Sequence, residues 1–270
     1  FFEPEMDARM QARRRLEVDL RKAIANGEFE LFYQPLVDMQ TEYVTGFEAL
    51  IRWHHPERGM VAPLDFIPVA EDSGLIVPIG DWVIRQACAE AATWPSNVKI
   101  AVNLSPVQFK SKGLLPSVIS ALAASGLPPN RLELEITESV LLQDGDATLA
   151  ILHELRGLGI RISMDDFGTG YSSLSYLRKF PFDKIKIDQS FIFAMSDHND
   201  SLAIVRAVIA MGAGLGIATT AEGVETPEQF KQLKLEGCTE VQGFLFSPPR
   251  PAAEVKWLLT SINPKLKVTA

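Results

Sequence analysis

Near the C-terminal ends of eight strand-like segments stand Gln34, Glu48, Asn103, Glu135, Asp165, Lys186, Glu222 and Gln242, with Asp166 following Asp165. An enzyme barrel builds its active site at that end, from residues on several strands. Carboxylates, amides and a lysine aimed at one mouth are costly unless something neutralises the negative charge. A divalent cation does so, and oxygen donors without His or Cys select hard ions, Mg²⁺ or Mn²⁺ rather than zinc. Two such ions about 4 Å apart, sharing a bridging Asp, suit in-line cleavage of a phosphodiester. Any one of these residues alone reads as a solvated charge. The joint pattern does not, because independent surface charges need not fall on inward parity at successive strand ends.

The elements that must position them follow from periodicity. Strands are expected at Leu31–Val37, Tyr43–Arg52, Val98–Asn103, Arg131–Ile136, Ile160–Asp165, Lys184–Ile187, Ile217–Ala221 and Glu240–Phe244. Helical patterns fill most gaps: Gly80–Thr93, Leu114–Ser125, Asp146–Arg156, Leu174–Lys179, Ser201–Ala213 and Pro227–Leu235. Strand–helix alternation predicts parallel pairing, and eight strands suggest closure into a barrel. Side chains alternate faces along a strand. Val98, Ile100 and Val102 therefore share a face that Asn103 opposes, Glu135 opposes Leu132, Leu134 and Ile136, and Lys186 opposes Ile185 and Ile187. The apolar faces would pack on the helices and the polar faces would point into the bore. A charged helix over residues 5–26, with Met6, Met10, Leu20 and Ile24 as its apolar seam, reads as a linker or a cap. The expected organisation is that helix (1–26), a barrel (27–262) and a tail (263–270).

The chain has 270 residues, 47% of them hydrophobic and 22% charged, enough apolar material for one large core. A net charge of -8 argues against binding a long nucleic acid, which needs basic surface. It leaves room for a small phosphate ligand held through a cation. Cys88 and Cys238 form no CxxC pair and read as buried free thiols, favouring a reducing compartment. Neither a signal peptide nor a spanning apolar run is visible, and the chain reads as a domain of a longer protein. The expected location is cytoplasmic, including the cytoplasmic side of a membrane-anchored protein.

The run Glu48-Ala49-Leu50-Ile51-Arg52-Trp53 resembles the motif that names the EAL phosphodiesterases. The resemblance continues through Asn103-Leu104-Ser105, Glu135-Ile136-Thr137-Glu138-Ser139, the stretch from Asp165 to Leu174, Lys186-Ile187-Asp188, Ala221-Glu222-Gly223-Val224-Glu225-Thr226 and Gln242-Gly243-Phe244. It covers the chain from about Leu16 onward. The resemblance implies a TIM-like (β/α)8 barrel whose first strand is antiparallel, in place of the all-parallel barrel that alternation predicts. It implies cyclic di-GMP as substrate and linear pGpG as product. Glu48, Asn103, Glu135 and Asp165 match ligands of one metal, and Asp165, Asp166 and Glu222 ligands of a second. Lys186 would hold the attacking water and Glu222 would act as general base. Gln34, Leu50, Arg52, Asp188 and Gln242 match substrate positions, with Arg52's guanidinium fork suited to a phosphate oxygen. Glu138 would anchor the Asp165–Leu174 loop, which, with the helix after it, implies a homodimer; an upstream regulatory domain is also implied. Ca²⁺ is expected to inhibit by its looser geometry.

Other signals weigh less. Asp166-Phe167-Gly168 mimics a kinase DFG without the other kinase motifs. Gly212-Ala213-Gly214-Leu215-Gly216 follows a helix and precedes a strand, the reverse of a dinucleotide fingerprint, and reads as a helix stop. His54 and His55 read as loop polars. Lys184-Ile185-Lys186 resembles the base motif of enolase-like lyases, but it follows three carboxylate strands rather than preceding them. The main alternative is a receptor that holds cyclic di-GMP without cleaving it. The metal positions are intact, which favours catalysis.

Overall fold

The computed structural model describes residues 4–142, 145–168, 180, 182–195 and 199–263. Its strands are β1 (Phe29–Asp38), β2 (Val44–His55), β3 (Gly59–Val61), β4 (Lys99–Leu104), β5 (Leu132–Thr137), β6 (Arg161–Phe167), β7 (Lys184–Ile187), β8 (Ala218–Ala221), β9 (Glu240–Val241) and β10 (Arg250–Pro251). Eight of them close a barrel in the order β1-β2-β4-β5-β6-β7-β8-β9 and back to β1. Strand β1 is antiparallel to both its neighbours, β2 and β9, and the remaining barrel pairs are parallel. All-parallel alternation fails at β1 because only a five-residue turn joins it to β2, too short for the crossover a parallel pair needs. The two short strands β3 and β10 are appended to β2 and β1 outside the closed ring.

The expected parity holds. Val98, Ile100, Val102, Leu132, Leu134, Ile136, Ile162, Met164, Ile185 and Ile187 are buried against the surrounding helices. The opposite faces fill the bore, where Glu133, Glu135, Ser163, Lys184, Lys186, Thr220 and Glu240 are also buried. Barrel interiors usually stack branched apolar side chains; this one is filled largely by charge.

Several boundaries move. Strand β9 ends at Val241, short of the expected Phe244, because Gly243 lies against the Val224 backbone, so close that a Cβ there would overlap it. A helix over Pro63–Asp72 (α2) occupies a stretch for which the sequence patterns predict no element. Pro63 sits at its first turn, where a missing N–H costs nothing. Helix α3 spans Ile76–Ala91, and short helices at Pro106–Lys110 (α4) and Glu138–Leu142 (α5) follow β4 and β5 directly. Ser105 and Gln108 close a reciprocal capping box at the first of these. Helix α1 (Pro4–Asn26) docks through Leu16, Leu20 and Ala23, with the expected Ile24 partly buried against the same core. The helix expected at Leu174–Lys179 lies outside the described residues. Both cysteines are free and buried. No helix among the described residues is long and apolar enough to cross a membrane.

Candidate active site

Register brings the strand-end residues together. Gln34 pairs with Glu48 across β1–β2, and Asn103 with Glu135 across β4–β5. Lys186, 1% exposed, stands at the centre. Its Nζ lies 2.6 Å from Glu222, 2.7 Å from Glu135, 3.1 Å from Asp165 and 3.6 Å from Glu48. Asn103 donates to Glu48 Oε1 at 2.6 Å, which turns its NH₂ to that carboxylate and leaves its carbonyl oxygen as the atom able to ligate a cation. Gln242 donates to Glu48 Oε2 at 2.6 Å and to Gln34 Oε1 at 2.9 Å. Glu48, Asn103, Glu135, Asp165, Lys186, Glu222, Gln34 and Gln242 thus form one contiguous polar cluster.

Asp166 reaches the same mouth by a local irregularity. Consecutive strand residues face opposite sides, yet the β6–β7 register shifts between Met164 and Phe167. Asp166 adopts φ 52°, a left-handed conformation costly for a non-glycine residue. Its N–H donates to Asp165 Oδ1 at 3.1 Å. This bulge turns both aspartates toward Glu222, and carboxylate oxygens of Asp165, Asp166 and Glu222 lie within 4.8 Å of one another. The loop continues into Gly168 (φ 97°), whose N–H donates to Glu138 Oε1 at 3.0 Å. Glu138 opens α5 and so ties that helix to the loop that carries Asp165 and Asp166. The rest of the loop, from Thr169, lies outside the described residues.

The electrostatics of this cluster call for added positive charge. Burial pushes the Glu135 carboxyl well above the carboxylate range; Lys186 opposes the rise, while Glu48 and Asp165 add to it. Burial likewise raises Glu222 to about 8, against Lys186 and with Asp165. Asp166 rises to about 6 through burial, Asp165 and Asp188. Burial would also raise Glu48, but Lys186 and the hydrogen bonds from Gln242 and Asn103 outweigh it and hold that carboxyl low. Burial works against the Lys186 charge, and the four carboxylates around it more than compensate, so it remains an ammonium. Five carboxyl groups sharing one ammonium, with an amide oxygen beside them and neither His nor Cys in the set, fit hard divalent cations.

Two clefts flank the cluster. One, of about 570 Å³, is lined by Leu50, Arg52, Leu64, Phe66, Asn103 and Asp166 among others, and is mostly apolar. The other, of about 280 Å³, is lined by Gln34, Glu48, Leu50, Asp165, Glu222, Gln242 and Phe244. Arg52 lies over the Phe32 ring at 5.4 Å and is half-buried at the rim. Asp188 is placed differently from the other substrate candidates. Its carboxylate accepts from Ser190 N at 3.0 Å and from the Ser190 hydroxyl, capping the Gln189–Ala194 helix, and it lines neither cleft. His54 and His55 end β2 rather than sitting in a loop; they face Glu30 at 2.7 Å and Asp19 at 3.3 Å, away from the cluster. Sequence reasoning missed the apolar wall of the larger cleft, because it named no helix over Pro63–Asp72, whose Leu64, Phe66 and Ile67 line it.

A closed barrel with an all-oxygen, lysine-centred site at the C-terminal ends of its parallel strands defines a barrel protein equipped for hard divalent cations. The EAL domain family matches residues 17–249, and the chain belongs to that family. It is 56% identical over 260 residues to the Sinorhizobium fredii protein y4lL, covering 96% of this chain and 31% of that protein. It is 45% identical over 259 residues to the bifunctional diguanylate cyclase/cyclic di-GMP phosphodiesterase MucR of Pseudomonas aeruginosa, covering 94% of this chain and 38% of MucR. The solved MucR phosphodiesterase in complex with cyclic di-GMP superposes with a TM-score of 0.86 at 45% identity, covering 89% of this chain and 99% of that one. The chain therefore spans roughly a third of the length of these curated relatives.

Proposed function

We propose that this domain hydrolyses cyclic di-GMP to linear pGpG in a reaction dependent on Mg²⁺ or Mn²⁺. The observation that carries the reading is the convergence of Glu48, Asn103, Glu135, Asp165, Asp166 and Glu222 around Lys186 at one barrel mouth. In this reading Glu48, Asn103, Glu135 and Asp165 hold one cation, and Asp165, Asp166 and Glu222 hold a second. Bound there, the cations would offset the charge of the phosphodiester and ease loss of a proton from water.

The chain's own residues supply the rest. Gln242 and Asn103 fix Glu48 from two sides, so the carboxylate is oriented before any ligand arrives. Lys186 donates to the attacking water and keeps it in line with the scissile P–O bond. The water oxygen forms the new bond to phosphorus, its proton passes to Glu222, and the 3′-oxygen departs to be protonated by solvent. Arg52 engages a phosphate oxygen, while Gln34, Leu50 and Gln242 line the ligand's path between the two clefts. Glu138 holds the backbone at Gly168, and through it the Asp165–Asp166 bulge. The proposal extends to a homodimer formed through the Asp165–Leu174 loop and to an upstream regulatory domain, in keeping with the much longer relatives.

Incubation of the purified protein with cyclic di-GMP and Mg²⁺ or Mn²⁺, followed by nucleotide chromatography, tests the reading. pGpG should accumulate with either ion and not in EDTA. Binding without pGpG under every metal condition would make this a receptor instead.

A further inference from the structure

A further cavity lies between β1 and α3, and no member of the catalytic cluster lines it. Its volume is about 340 Å³. Small-ligand sites commonly run to roughly 300–1,000 Å³. Phe29 and Tyr33, on one face of β1, line it together with Trp82 and Glu90 of α3 and with Glu30. The Phe29 and Trp82 rings are 5.9 Å apart. Tyr33 is 3% exposed, yet its hydroxyl hydrogen-bonds to no described residue. A buried phenol normally has a partner. Glu90 Oε1 accepts from Trp94 Nε1 at 3.0 Å, and Glu30 Oε2 meets His54 Nε2 at 2.7 Å. The other oxygen of each carboxylate has no hydrogen-bond partner among the described residues. Burial pushes the Tyr33 phenol up, and Glu90 and Glu30 add to the rise, so both carboxylates act on a neutral hydroxyl.

No Lys, Arg or His lines this cavity. Arg250, opposite Tyr33 in the β1–β10 pair, has its Nη1 3.7 Å from Glu254 instead. Two carboxylates among aromatic rings, with no cation beside them, repel an anion and attract an organic cation. A hard metal ion needs six or more oxygen donors, which an aromatic wall does not supply. Among organic cations, the three open acceptors select the head group. A primary ammonium has three N–H donors, one for each oxygen. A quaternary ammonium would leave the Tyr33 hydroxyl unpaired, and a guanidinium would bring five donors to three acceptors.

We propose that this cavity binds a small primary amine as its ammonium ion, which donates to Tyr33 Oη and to the open oxygens of Glu90 and Glu30 and lays a short alkyl stem against Phe29 and Trp82. The phenol in turn donates to one of the two carboxylates. The site is separate from the barrel mouth and stands whether or not the domain cleaves cyclic di-GMP.

Butylammonium is the probe, and butanol its neutral counterpart of the same shape. The readout is the NMR signals of the Trp82 and Trp94 indole N–H groups, one lining the cavity and the other bound to Glu90. Saturating Mg²⁺ keeps the amine from the acidic barrel mouth. Butylammonium should shift both signals saturably with a Kd below about 1 mM, and butanol should not. Tyr33→Phe removes only the hydroxyl and should weaken butylammonium about tenfold, as loss of a hydrogen bond to a charged group does. Glu90→Gln should weaken it at least as much. No saturable shift up to about 10 mM, or equal affinity for butylammonium and butanol, overturns the proposal. Tyr33→Phe binding as tightly as wild type also overturns it, because the amine would then be held by exposed acidic surface elsewhere. If Glu90→Gln does not fold, Tyr33→Phe and the butanol comparison carry the test.

Discussion

Replacing Lys186 with Met separates two roles the site gives it, charge compensation and donation to water. Among the described contacts Lys186 is the cation that meets Glu48, Glu135, Asp165 and Glu222 together. Removing one partner of a buried ionic set costs about 3–5 kcal/mol. The carboxylates can absorb part of this by taking up protons, as Glu222, already raised to about 8, does near neutral pH. The lower end, about 3 kcal/mol, is the expected loss, equivalent to roughly 6–10 °C in Tm for a domain of this size. A divalent cation at about 100 times its Kd returns about 2.7 kcal/mol. Calorimetry should therefore find Lys186→Met markedly less stable than wild type in EDTA and nearly restored by saturating Mg²⁺. Turnover should not be restored, because a cation replaces the charge of Lys186 but not its N–H donors. A variant within about 1 °C of wild type in EDTA would refute the compensation argument. Wild-type kcat in Mg²⁺ would refute the water-holding role.

Metal-free stability should fall as pH rises. Glu222 moves from an ordinary 4.5 to about 8 on folding, and Asp166 from 3.8 to about 6. Their bound protons favour the folded state fully below the ordinary values, and that contribution is lost as pH climbs through the folded ones. Tm in EDTA should decline between pH 4.5 and 8, and the decline should flatten with Mg²⁺ present; identical profiles with and without metal would contradict the assignment. Glu48→Ala should abolish metal-dependent pGpG formation, and wild-type rates in it would refute the ligand set. Ca²⁺ in place of Mg²⁺ should inhibit, and activation by Ca²⁺ in the same chromatographic assay would count against it. Gly243→Ala, which drives a Cβ into the Val224 backbone, should cost about 1–3 kcal/mol in urea unfolding and lower kcat through Gln242; an unaltered unfolding midpoint would argue against that contact.

The amino-acid sequence by itself determined which residues face the bore. Alternation is a local property of extended chain, so Asn103, Glu135 and Lys186 were assigned to the inner face from their neighbours alone, and Lys184–Ile187 was bounded as the structure has it. Strand β1's direction was legible only through resemblance, since periodicity is the same read either way along a strand. Tertiary structure decided the rest. The Asp165–Asp166 bulge depends on the register of β6 against β7, and no local pattern announces that two consecutive residues will share a face. Helix α2, which walls the larger cleft, forms despite Pro68, because burial of Phe66, Val69 and Ala70 outweighs what its prolines suggest locally. The pairing of Lys186 with four carboxylates and of Lys184 with Glu133 and Glu240 joins residues on five different strands and Glu222 just past the end of β8. Only closure of the barrel brings such partners within ion-pair distance, because a strand specifies the side its residues face and not what they meet across the bore.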